Sequence, residues 1–295
     1  MKKTIDVTRA LLRRIPLPQP DAESDKDARG RVLAVGGSAQ TPGAILLAGV
    51  AALRAGAGKL QLATVRSAAA ALGVAVPESL VVALAETRAG EIAGEAAGRD
   101  LSRRAPEADA LLLGPGMSSD RAARALLRVL VPRLSAEATL VLDAAAILAA
   151  NRAVRLLRRL GRAVLTPHTG EMASLLGIEK EAVEDDPAAV ARTAAARFGV
   201  VVALKGPEIW IAEPDGTLYR YAGGSVGLAT SGSGDTLAGI VAGLAARGAS
   251  AVHAAVWGAY LHGAAGQALA RRLGPIGYLA RELLDEVPVV LRRLS

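Results

Sequence analysis

The sequence predicts an α/β fold, with one mostly parallel sheet, helices on both of its faces and a small β-hairpin late in the chain. Three observations carry this. Short apolar runs alternate with helically spaced segments from residue 31 to residue 206. The loops that stand out all follow an apolar run, at 36–43, 114–118, 143, 167–171, 205–209 and 232–235, so they gather at one edge of the sheet. Finally, 52% of the 295 residues are hydrophobic but only 2% are aromatic, so a large core must be built from Ala, Leu and Val packed closely.

Residues 1–24 read as an N-terminal lead-in, with no apolar run of signal-peptide length and an extended, proline-rich end at 15–20. Residues 25–295 read as a single domain that opens on a charged, solvent-facing stretch up to Arg31. The run 31–35 is the first core strand. Gly36-Gly37-Ser38 and Thr41-Pro42-Gly43 follow, and Ile45, Leu46, Val50 and Leu53 then recur at helical spacing. This unit is neither the dinucleotide fingerprint nor a Walker A loop, since no GK[ST] follows it. Residues 55–58 cap that helix, 59–64 alternate as a strand, 79–85 are another apolar run and 89–98 are rich in small residues. A buried strand at 108–113 ends on Gly114-Pro115-Gly116, and 122–134 is an amphipathic helix. The next strand, 139–143, has Asp143 at its carboxyl tip, where an acid meets a hydroxyl, a metal-bound water or plain solvent.

The strand 163–166 leads into Pro167-His168-Thr169-Gly170-Glu171. His168 follows a proline in a turn, which favours a functional histidine over a core one. A helix at 187–198 precedes the strand 200–204, which reaches Lys205-Gly206. Residues 209–212 and 217–221, with Asp215-Gly216 between them, are the hairpin. A long helix at 249–273 carries His253 and His262, read as packing or surface residues, and 282–294 is a last short helix.

The segment 223–248, GGSVGLATSGSGDTLAGIVAGLAARG, is a glycine loop running into a helix on which Leu237, Ile240, Val241 and Leu244 repeat. Its glycines permit positive φ and close ligand approach. Unpaired amides and the helix dipole make the first turn an anion site. Asp235 in that turn is either a helix cap or a base that takes a proton from a hydroxyl attacking phosphate.

The net charge of +7 comes mainly from arginines, which read as solvated helix faces rather than a polyanion surface, because no basic block is interleaved with aromatics. With no cysteine there is no disulfide and no thiolate nucleophile, which fits a reducing compartment. No membrane span or internal repeat is expected.

The GSGD loop with its helix, TPHTGE at 166–171, LKG at 204–206, GPG at 114–116 and GGSAQTPGAILLAGVAALRAGAG at 36–58, in this order, resemble the nucleotide-dependent NAD(P)H-hydrate dehydratases of the ribokinase-like superfamily. The similarity runs from about residue 25 to the end. It implies a ribokinase-like three-layer α/β/α fold and an enzyme that converts NADHX or NADPHX to NADH or NADPH. ADP (or ATP) is the implied co-substrate, ADP becoming AMP and phosphate, with Mg2+ on the phosphate oxygens and no dedicated protein metal ligands. Asp235 is the implied catalytic residue. Ala44, Gly116, His168 and Asp235 would touch the hydrate. Lys205, Gly206, Pro207, Glu208, Ile209, Gly232, Ser233 and Gly234 would touch the nucleotide. A cytoplasmic homo-oligomer, a tetramer by resemblance, with no nucleic-acid or membrane partner, is implied. The apolar face of 252–269 is the surface expected to self-associate, and the separate epimerase domain of some relatives is expected to be absent.

The sequence departs from the family pattern at several places. Ala145 stands where a second acid is usual, Ile209 where a Thr is, Thr169 where a Pro is, and 224–229 where GNPGMA is; the SHKGDxG lead-in is degraded at 24–30. Two further readings therefore stand beside the dehydratase. One is a small-molecule kinase of the same superfamily with the same Asp235, for instance of a vitamin precursor. The other is a non-catalytic nucleotide-binding relative.

Overall fold

The computed structural model describes residues 3–19 and 26–294. The expected boundary at 24/25, Ser24 and Asp25 of the lead-in motif, and part of the charged stretch before Arg31 lie outside the described residues. The strands are β1 (Thr4–Asp6), β2 (Arg31–Val35), β3 (Lys59–Val65), β4 (Ser79–Leu84), β5 (Ala110–Leu113), β6 (Thr139–Leu142), β7 (Ala163–Leu165), β8 (Val201–Leu204), β9 (Ile209–Ala212) and β10 (Leu218–Tyr221). The helices are α1 (Arg9–Arg14), α2 (Pro42–Arg54), α3 (Arg66–Ala75), α4 (Gly94–Leu101), α5 (Asp120–Leu130), α6 (Ala145–Ala149) and α7 (Val154–Leu160). They continue with α8 (Thr169–Leu176), α9 (Lys180–Asp185), α10 (Pro187–Phe198), α11 (Ser233–Ala246), α12 (Ala251–Leu273) and α13 (Ala280–Arg292).

All ten strands join one sheet in the order β1-β10-β9-β8-β7-β6-β5-β2-β3-β4. Every pairing is parallel except those of β9. The expected hairpin is present, and it extends the main sheet through β8 rather than standing apart from it. The lead-in contributes more to the fold than its sequence reading gave it. Thr4–Asp6 pairs parallel with β10, and Leu12 and Leu17 are buried, so this stretch is part of the core.

The order of connection reverses between β2 and β5, which is the switch point where open α/β sheets bind ligands. The loops after these two strands are locked together there. Gly37 N–H donates to the Pro115 carbonyl at 2.7 Å and Thr41 Oγ1 to the Gly116 carbonyl at 2.8 Å.

The scarcity of aromatics has a direct packing consequence. Helices α2 and α11 touch backbone to backbone, since a Cβ on Gly239 would sit 2.0 Å from the Ala48 carbonyl oxygen and one on Gly243 2.3 Å from that of Ala52. Small residues let the helices approach until the core is filled. The same packing overturns the expectation that α12 offers a free apolar face. Ala254, Val256, Trp257, Leu261, Ala265 and Leu269 are buried within their own chain, where α12 packs on α11 and α13.

Candidate active site

The glycine loop delivers α11 to the carboxyl edge of the sheet. Gly232 is the residue before the helix and takes φ +88°, which its neighbours do not share; Gly234 is already helical. The positive φ expected of the loop thus belongs to Gly232. Ser233 N–H is engaged by the Thr230 carbonyl at 3.2 Å and the Asp235 N–H faces its own carboxylate, while the amides of Gly232 and Gly234 have no partner among the described residues. Asp235 makes no capping bond, so the helix-cap reading of this residue fails. Its carboxylate stands in the first turn beside the free amides.

Three carboxylates surround one ammonium. Lys205 leaves the end of β8, where its N–H donates to the Pro167 carbonyl at 2.7 Å, and its Nζ bonds Asp143 Oδ1 at 2.9 Å. Thr166 Oγ1 donates to the same oxygen at 2.7 Å. Asp143 is 3% exposed, so it is neither water-facing nor free; it anchors the lysine. A Cβ on Gly234 would lie 3.0 Å from Lys205 Nζ, which puts the ammonium against the first turn of α11. Burial pushes the Asp235 carboxyl up to about 7; the Asp143 charge adds to this and Lys205 opposes it. Burial likewise raises the Glu171 carboxyl, against the pull of Lys205. Burial alone would lower Lys205, but Asp143 and Glu171 prevail and hold it raised, so it stays charged. A carboxyl that titrates near neutrality beside a fixed cation is the environment of a general base.

The other expected residues divide between contact and support. Ala44 opens α2 against Gly116, where an added Cβ would come within 2.9 Å of the Ala44 Cβ, and Leu47 on the same helix reaches Gly232. The substrate-side pair and the glycine loop therefore adjoin. His168 caps α8: its Nδ1 accepts from the amides of Gly170 at 3.0 Å and Glu171 at 3.3 Å, and its ring is 60% exposed. This is a structural role that the sequence reading did not include. Gly206 and Pro207 are exposed, and Glu208 lies 3.8 Å from Arg220. The Ile209 side chain packs into the core, so the missing hydroxyl is replaced by buried hydrocarbon. Ala145 opens α6, which leaves Asp143 the only acid at the end of β6. Ala144 between them takes φ +48°, a strained position of the kind that gathers at active sites. Ser225 closes its own loop on the Tyr278 hydroxyl at 2.8 Å.

Sequence reasoning took His262 as a packing or surface residue and did not find its partner in the glycine loop. His262 is buried, and its Nε2 lies 2.8 Å from Ser233 Oγ, while Nδ1 is buried without a partner. Burial, aided by Lys205, lowers it to about 4, so the ring is neutral. A polar residue in the apolar run AYLHGAAG was the available signal. His262→Ala would release Ser233 and with it the free amide of Gly234 that follows. We expect the KM for the nucleotide to rise about tenfold, Ser233→Ala to match it, and the double variant to do no worse, because one hydrogen bond is lost in each case. Steady-state kinetics that show additive losses would refute the shared role.

With unpaired amides at a glycine-led helix, an ammonium against its first turn and a carboxyl raised towards neutral pH, the carboxyl edge of this ribokinase-like α/β fold is suited to hold phosphate oxygens beside a proton acceptor. The family model for NAD(P)H-hydrate dehydratase matches residues 32–289. The chain belongs to that family. It is 51% identical over 289 residues to the ADP-dependent (S)-NAD(P)H-hydrate dehydratase of Xanthomonas campestris pv. campestris, covering 98% of this chain and 96% of the relative. Among solved structures, the ADP/ATP-dependent NAD(P)H-hydrate dehydratase of Bacillus subtilis, co-crystallised with ATP/Mg2+, superposes with a TM-score of 0.82 at 28% identity over 100% of both chains. A ribokinase-like superfamily protein of Enterococcus faecalis V583 gives 0.81 at 26% identity, covering 100% of this chain and 98% of its own.

Proposed function

We propose that this protein dehydrates NADHX and NADPHX to NADH and NADPH with ADP as co-substrate, released as AMP and phosphate. The observation that carries the reading is Asp235, poised near neutrality between free helix amides and Lys205. Hydroxide is a poor leaving group from the hydrated ring carbon, and a phosphoryl group on that oxygen makes it a good one. Asp235 takes the hydroxyl proton as the oxygen attacks the terminal phosphorus. Lys205 and the amides of Gly232 and Gly234 hold the charge that develops on the phosphoryl oxygens. The carbon–oxygen bond then breaks, phosphate departs with the bonding pair, the neighbouring ring carbon gives up a proton to the departing phosphate or to water, and the ring regains its double bond. Ala44, Gly116 and His168 are assigned to the hydrate, and 205–209 with 232–234 to the nucleotide.

Mg2+ fits this site as an ion carried on phosphate oxygens. Among the described residues no three metal-ligating side chains cluster, and Asp143 already accepts from Thr166 and Lys205. Glu171 is the acid of this cluster left to approach it, and when bound it would neutralise phosphate charge. Incubation with NADHX and ADP, followed by NADH absorbance and phosphate release, tests the reading. A stable phosphate ester would indicate a kinase instead, and nucleotide binding without turnover a non-catalytic relative.

The same reading places the protein in the cytoplasm as a homo-oligomer, a tetramer. Among the described residues no helix is long and apolar enough to cross a membrane. Exposed Val226, Leu273, Ile276 and Leu279, around the loop where Gly227 meets Pro275, support self-association. Sedimentation showing only monomer at micromolar concentration would refute it.

A further inference from the structure

We propose that the outer helical face carries a second anion site, apart from the glycine loop, that takes an oligophosphate chain. Helices α4, α5 and α7 border an open groove of about 1300 Å³. Arg99 of α4, Arg121, Arg124 and Arg128 of α5, Arg152 in the turn before α7 and Arg155 of α7 line it, and among the described lining residues Glu95 is the one acid. The whole chain has a formal net charge of +7, so much of its excess sits around this one groove. Arg124 leans on Asp120 at 3.6 Å and Arg128 bonds Glu95 at 2.8 Å. Arg99, Arg121, Arg152 and Arg155 have no ion-pair or side-chain hydrogen-bond partner among the described residues. Periodicity read these arginines as separate solvated faces; the fold brings them together from three elements.

Like charges held around one concavity repel, and a multivalent anion relieves that repulsion. Guanidinium groups bind phosphoryl oxygens in bidentate pairs. The groove exceeds what one phosphate fills. Its described lining holds no aromatic ring, so bases have nothing to stack on, which argues for a phosphate chain over single-stranded nucleic acid. Ile92 and Leu127 give it an apolar floor. It shares no lining residue with Asp143, Lys205 and Asp235, so the inference stands whether or not the dehydratase reading does.

Calorimetric titration at low salt with inorganic tripolyphosphate, and separately with ATP, tests this on the wild type, the Arg121→Ala/Arg155→Ala variant and Lys205→Ala. Both arginines are exposed, so the folded state is retained. We expect the arginine pair to weaken tripolyphosphate by about tenfold or more. ADP-dependent turnover should stay within about two-fold. A parallel loss for ATP supports a nucleotide-borne chain, and loss for tripolyphosphate alone supports an inorganic one. The absence of any arginine-dependent component overturns the proposal. So does a variant that dissociates an oligomer while its titrations are unchanged, because the groove is then an interface between copies.

Discussion

Asp235→Asn is expected to lower turnover by about 10²–10⁴ while leaving ADP affinity within a few-fold. The amide keeps the shape of the side chain and removes only its ability to take a proton. In the wild type, kcat/KM should rise with pH through about 7, the value to which burial and Asp143 push this carboxyl. Stability should move the opposite way. The unfolded carboxyl titrates at 3.8 and the folded one at about 7, so across that window the folded chain binds the extra proton and loses stability as pH rises. The deficit is complete above 7 and absent below 3.8. Asp235→Asn escapes it, and should be more stable than wild type at alkaline pH by on the order of 1–3 kcal/mol, partial exposure being allowed for, and about equal under acid conditions. Kinetics and urea unfolding across the acid and alkaline range check both. A fully active variant, or a stability difference that ignores pH, would remove the base assignment.

Lys205→Ala is expected to weaken ADP strongly, AMP less and adenosine least, because the ammonium acts on phosphate alone. The structure adds a second effect. Asp143 is buried and loses its cation in this variant, which costs roughly 3–5 kcal/mol of stability. The two effects separate in Lys205→Ala/Asp143→Asn, where the lone buried charge is gone. That variant should recover most of the stability and none of the phosphate selectivity. Calorimetry with ADP, AMP and adenosine, beside thermal unfolding, reads each. Equal losses for all three ligands in the double variant would mean that Lys205 works through the fold.

Much of the site was legible because it is built from contiguous residues. Gly232 to Asp235 form one loop and one helix turn, and a glycine run before an apolar helix reads as an anion site from local rules alone. The family resemblance supplied the reaction proposed for this loop. His168 was legible as unusual, but its cap on α8 was not, since TPHTGE carries no Ser, Thr, Asp or Asn immediately before the first helical residue. The lead-in strand Thr4–Asp6 was missed because three residues give no period, and only β10 makes them a strand.

By itself the sequence determined the alternation of strands and helices, the parallel sheet, the glycine-led helix with Asp235 in its first turn, and the family to which these belong. All of these follow from spacing within a few turns or from motifs in order. Only the tertiary structure decided which groups face each other. Lys205 meets Asp143 across 62 positions of sequence and Ser233 meets His262 across 29. The arginines of α4, α5 and α7 converge on one groove only when these helices are packed on the sheet. Periodicity tells which face a side chain takes; it does not tell what lies opposite. The charge state of Asp235, the anchoring of Lys205 and the sharing of the groove are pairings of that second kind, fixed by how the sheet orders its strands.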